Sequence, residues 1–235
     1  MIIRVLTKIE AYRKWWLRSV LIASLLPALI LLYKYQTNAL GFNPYATLIE
    51  TTGIWSIAFL LLTLLVTPLR RWLCWFCNFR KYPYGKRLSD WNYLILSRKM
   101  LGNYTFFYAT IHCVIYLHLD MDWDWQEVLY DIKTRHFLTL GLIGWLALIP
   151  LAATSFKAAQ KKLGKYWRKL HRLTYFIAIV GVCHIWLEAK PTDYTPYLYT
   201  LAAGILLGHR LAVSAIRKWR RKDDTGMEVY RRPRS

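Results

Sequence analysis

The chain has 235 residues, 56% of them hydrophobic and 16% aromatic, and its 33 lysines and arginines outweigh 13 acids for a net charge of +20. In a soluble domain that charge would point to nucleic acid. Here the apolar residues come in blocks with the basic ones between them, which argues against a nucleic-acid partner and for an all-α, polytopic membrane protein of one six-helix bundle.

In chain order, residues 1–16 form a basic segment before an apolar run at 17–33. That run ends in Tyr33-Lys34-Tyr35 rather than a small-residue cleavage site, which predicts a retained first helix and not a signal peptide. It contains Pro27, tolerated in a membrane helix where a neighbour re-satisfies the freed carbonyl. The second run, 49–67, is predicted to end at Thr67-Pro68, just before Arg70-Arg71. Residues 69–98 are basic and aromatic, too mixed to span, and are expected as an interfacial loop with a short amphipathic helix. They include Cys74-Trp-Phe-Cys77, a CxxC with no second CxxC or histidine nearby and so a poor zinc site. The third run, 100–119, is the least apolar, carries His112 and His118, and is expected inside the bundle. An acidic aromatic loop from Asp120 to Arg135 follows, then runs at 137–153, 172–188 and 197–215. These complete a transmembrane domain over 17–216 with a basic tail at 217–235, and no internal repeat stands out.

The basic residues orient the chain. All but Lys34, Lys133, Arg135 and Lys190 fall in the start, the 69–99 segment, the 154–172 segment or the segment from Arg210 onward, and these alternate with the others along the runs. By the positive-inside rule both termini are cytoplasmic, and the acidic loop faces the outer side of a bacterial inner membrane. The third and fifth runs then both point outward. His112 and His184 fall at similar outer-side depth, and His171 falls on the cytoplasmic side.

Ionisable groups at membrane depth are costly and mark function, and neutral imidazole holds haem iron without adding charge. His112 and His184, on two helices of one direction, are therefore candidate ligands from opposite sides of one iron. His171 is a third candidate ligand, beside Arg168, Lys169 and Arg172, which suit haem propionates. Fourteen residues before His112, where a partner for His171 would stand, the chain has Arg98. A cytoplasmic-side haem is thus singly ligated by histidine, ligated by an unusual partner, or absent. The 13-residue step from His171 to His184 turns an ideal helix by about 220°, which does not aim both at one partner helix. His118, His136 and His209 read as interfacial residues, the last also within reach of a quinone or headgroup. The absence of GxGxxG, Walker, HExxH and Ser/His/Asp patterns leaves no place for NAD(P)H or FAD and no self-contained catalytic site.

The segment Leu163-Gly164-Lys-Tyr-Trp167-Arg-Lys-Leu170-His171-Arg-Leu-Thr-Tyr175, followed by His184, resembles the fifth-helix signature of ferric-reductase-like transmembrane domains. Within them it resembles the MsrQ (YedZ) family of haem-binding membrane subunits. Thr67-Pro68-Leu69, Ala109-Thr110-Ile111-His112, Leu138-Thr139-Leu140-Gly141 and Ala153-Thr154-Ser155 extend the likeness over roughly residues 17–215. The resemblance implies b-type haem, one or two copies, with His112, His171 and His184 as ligands. It also implies electrons from the quinone pool or a cytoplasmic flavin reductase, an association with FMN, and a periplasmic molybdopterin partner, MsrP. That partner, and not this chain, would reduce methionine sulfoxide; the acidic aromatic loop, from its own residues, reads either as a solvated loop with Trp anchors or as a docking surface for an outer electron-transfer partner. The 69–98 loop is longer than the family suggests. The rival readings are a stand-alone ferric or metal reductase domain, and a haem-free transporter or scaffold.

Overall fold

The computed structural model describes the backbone of residues 2–231 and the side chains of residues 13–219 other than 217. Every regular element among the described residues is helical. The order is α1 (Ile2–Gln36), α2 (Pro44–Phe79), α3 (Asn92–Ile115), α4 (Trp125–Thr134), α5 (His136–Ala153), the short α6 (Lys157–Leu163) and α7 (Lys165–Leu170), α8 (Leu173–Glu188) and α9 (Thr195–Arg231). A 3-10 turn at Leu88–Trp91 precedes α3, and a π-helical turn at Tyr116–Asp120 follows it.

Five segments are long and apolar enough to cross a membrane: Arg13–Gln36, Pro44–Phe79, His136–Ala153, Lys165–Glu188 and Thr195–Ile216. Helix α3 is not among them, because Asn92, Arg98, Lys99, Asn103 and His112 dilute its apolar residues. The chain is thus a multi-pass membrane protein; among the described residues five helices meet this measure, and the third of the six expected runs is the one that does not.

Helices α2 and α3 form one antiparallel hairpin, and α5 and α8 a second. The core joins them through Ile57, Leu60 and Leu64 of α2, Leu148 and Leu151 of α5, and Ile177, Ala178 and Val182 of α8, with Ala203 and Leu206 of α9. Apolar side chains gain nothing from leaving lipid, so close packing decides such contacts. α1 lies outside, on α3. There the fully buried Tyr108 hydroxyl donates to the Ser24 carbonyl (2.8 Å) and accepts from the Ala28 N–H (3.0 Å). It is inserted into the α1 ladder beside Pro27, the kind of interruption that bends a helix.

Four expectations are corrected. The second apolar run does not end at Thr67-Pro68: α2 starts at an Asn43 cap, passes through Pro68 and ends at Phe79. Proline removes one N–H, and a side chain of α9 takes the carbonyl it frees, so the helix continues. The 69–98 segment is therefore mostly helical, being the last turns of α2, an irregular connection over 80–87, the 3-10 turn and the start of α3. Arg70 ties its ends, donating to Asn92 Oδ1 at 2.8 Å, and Trp91 donates to the Gly85 carbonyl at 2.9 Å. Cys74 and Cys77 lie on α2, buried and unbonded to each other. The acidic segment contains α4, capped by Asp124, whose Oδ1 accepts from Gln126 N–H at 2.9 Å. The tail from residue 217 continues α9 as far as Arg231.

Candidate functional site

His112 sits in the last turn of α3, against the first turns of α2. Its Nδ1 lies 2.9 Å from the Ile49 carbonyl. A carbonyl only accepts, so Nδ1 carries the proton and Nε2 keeps its lone pair. His184 repeats the arrangement on α8, its Nδ1 2.7 Å from the Phe137 carbonyl of α5. Such an outer bond fixes the tautomer and orientation of a metal-ligating imidazole.

Each ring lies on a glycine one turn beyond its carbonyl. A Cβ on Gly53 would stand 3.1 Å from His112 Cε1 and 3.2 Å from its Nδ1, and a Cβ on Gly141 would stand at the same distances from the same atoms of His184. The two hairpins are thus copies of one device: carbonyl, glycine four residues on, imidazole across from it. Sequence reading missed the repeat, although its trace is present as Ile49-Glu-Thr51-Thr-Gly53 and Phe137-Leu-Thr139-Leu-Gly141.

The ring centroids of His112 and His184 are 6.2 Å apart with planes at 85°. Two metal–nitrogen bonds of about 2 Å, with about 1 Å from each nitrogen to its ring centre, require a separation of about 6 Å. That separation fits two imidazoles that would hold one metal between them. Glu188 Oε2 is 3.7 Å from His184 Nε2, too far for a hydrogen bond.

His171, Arg98, Arg168 and Arg172 gather at the opposite end of the helices. His171 lies between α7 and α8, its ring stacked on Trp167 at 4.1 Å and its Nε2 3.2 Å from Thr154 Oγ1. Trp167 donates to the Thr154 carbonyl at 3.0 Å, closing the cluster. Since α8 begins at Leu173, His171 stands outside the regular helix, and the ideal 220° rotation to His184 does not apply. No second imidazole pairs with it among the described residues; Arg98 of α3 is instead within electrostatic reach. Arg168 on α7 and Arg172 at the start of α8 are exposed. His118 accepts from Trp123 Nε1 at 3.2 Å, His136 opens α5, and His209 packs edge-on against Trp72. Arg210, which sequence reading passed over, reaches into this end from α9.

Residues 52–182 match the model of the ferric reductase like transmembrane component. The chain belongs to this family, in its MsrQ branch. It is 39% identical over 195 residues to the protein-methionine-sulfoxide reductase heme-binding subunit MsrQ of Azospira oryzae, covering 82% of this chain and 77% of the relative. The MsrQ of Herminiimonas arsenicoxydans is 40% identical over 189 residues, 79% of each chain. That of Xanthomonas campestris pv. campestris is 37% identical over 175 residues, 74% of this chain and 73% of the relative. The matched family region runs from Thr52 on α2 to Val182 on α8, two residues short of His184.

Proposed function

We propose that this MsrQ-family chain is a b-type haem, membrane electron-transfer subunit of a methionine sulfoxide reductase system. The observation that carries the reading is the His112–His184 pair, separated as two axial ligands are, each with Nδ1 tied to a carbonyl and Nε2 left to bind. A bound haem supplies reversible one-electron exchange. Ile49 and Phe137 hold the ligand tautomers, and Gly53 and Gly141 give the rings their seats. The packed α2, α5 and α8 side chains of the core keep water from that space. His171 is a candidate ligand of a second haem at the opposite end, where Arg98, Arg168 and Arg172 are candidate cofactor-binding cations.

In this reading α3 is a sixth crossing, its polar residues sheltered by α2 and α1. Both termini are cytoplasmic in a bacterial inner membrane. The electron donor is the quinone pool or a cytoplasmic flavin reductase. The recipient is a periplasmic molybdopterin reductase of the MsrP type, docking on the acidic segment around α4. The catalytic reduction of methionine sulfoxide belongs to that partner.

A visible spectrum of the purified protein tests the reading. Reducible Soret and α bands of b type are expected, and His112→Ala and His184→Ala should each remove the same haem. A protein purified without haem, or full haem content in both variants, would sink it.

A further inference from the structure

Pro68 has no N–H to give the Leu64 carbonyl, and Leu64 is completely buried, so that carbonyl needs a donor from elsewhere. Arg210 of α9 supplies it. One terminal nitrogen donates to the Leu64 carbonyl at 2.9 Å and the other to the Tyr175 hydroxyl at 2.6 Å, with Cζ 5.0 Å from the Tyr175 ring centre. The guanidinium is thereby clamped between α2 and α8, one turn from His171, and its Nε is buried without a partner.

Arg98 comes to the same place from α3. One turn further along α3, Gly102 faces Thr63, 4.0 Å from Cγ2 to where a Cβ would lie. Because α2 and α3 are antiparallel, Arg98 then falls opposite the stretch leading to Pro68. Its charge acts on both Arg210 and His171. The Arg135–Asp131 ion pair lies at the far end of the helices, as does Glu188 beside His184. No carboxylate among the described side chains pairs with either guanidinium. Two cations brought together at membrane depth are costly unless a counter-charge joins them, and the arginine fork is shaped for paired oxygen acceptors.

We propose that Arg98 and Arg210 form an anion-binding site beside His171 that takes a carboxylate or phosphate group, with the Pro68 break fixing one of its two charges. The carboxylate source is a haem propionate, which rests on the reading that His171 holds a second haem. The phosphate source is an anionic lipid headgroup.

The test reconstitutes haem-free protein in phosphatidylcholine nanodiscs with protohaem or with its dimethyl ester, which lacks carboxylates, and counts haem per chain. Retention of the second haem should fall about tenfold with the ester. Arg98→Gln and Arg210→Gln should erase that preference. Arg210→Gln is also made with Pro68→Ala, which returns an N–H to Leu64 and removes misfolding as a cause. In parallel, phosphatidylglycerol bound per chain is measured by native mass spectrometry. If acid and ester are held alike but both variants lose phosphatidylglycerol, the anion is a lipid phosphate. Equal retention of acid and ester with unchanged lipid binding overturns the site. His171→Ala with unaltered haem count would instead overturn the second-haem reading, leaving the lipid measurement to decide the anion site.

Discussion

Gly53→Ala and Gly141→Ala probe the two imidazole seats directly, since each places one methyl against one imidazole. The added Cβ would stand 3.1 Å from Cε1 and 3.2 Å from Nδ1 in both cases. Ordinary carbon contacts begin at about 3.5 Å, so ring or helix must yield by a few tenths of an ångström. The ring is pinned on the same side by its bond to Ile49 at 2.9 Å or to Phe137 at 2.7 Å, so retreat weakens that bond. Overpacking costs about 1–3 kcal/mol and a weakened buried hydrogen bond up to about 1 kcal/mol. A combined penalty of about 2 kcal/mol corresponds to roughly a 30-fold loss of affinity for the axially held group. Haem per chain, titrated from limiting to excess haem, measures it, and the electron paramagnetic resonance of the oxidised protein reports ring orientation. Gly204→Ala and Gly208→Ala, with nothing within 4 Å of the new methyl, are the controls. Matched losses at Gly53 and Gly141 are expected. Full affinity and an unchanged resonance spectrum in both would refute the cradle argument.

Three other outcomes are expected. Tyr108→Phe strips the bridge between Ser24 and Ala28; it should cost about 1–3 kcal/mol and speed amide exchange at Ala28, and unchanged melting and exchange would show the bridge to be idle. Asp124→Ala removes the cap of α4, at a cost of about 1 kcal/mol. Hydrogen exchange at Gln126 and Glu127 should rise, and unaltered protection would mean that α4 is held by its packing alone. Asp122→Asn with Glu127→Gln neutralises one exposed acid just before α4 and one in its first turn. Reduction of a purified MsrP-type partner should slow about tenfold at low salt and converge with wild type at high salt, with haem content unchanged; equal rates at all ionic strengths would exclude docking there.

Much of the architecture is legible in local chemistry. Apolar runs separated by clustered cations require membrane-crossing helices, because a polar backbone in lipid has to satisfy itself within each segment. His112 and His184 could be paired by depth alone, since regular helices convert residue number into height. Element ends were less readable: Pro68 looked terminal because its missing bond is visible in sequence, while the donor that compensates for it stands on α9. Likewise the acidic segment resembled a loop until Asp124 was seen capping α4.

What the sequence determines by itself is the membrane class, the positions of the apolar runs and which imidazoles share a level. Only the tertiary structure decides how those imidazoles are aimed. Their orientation comes from backbone carbonyls and glycines on the neighbouring helix, groups that carry no distinctive side chain and so leave almost no mark in the sequence. The same holds at the other end, where Arg98 and Arg210 become one site only because a proline on α2 frees a carbonyl for a cation from α9.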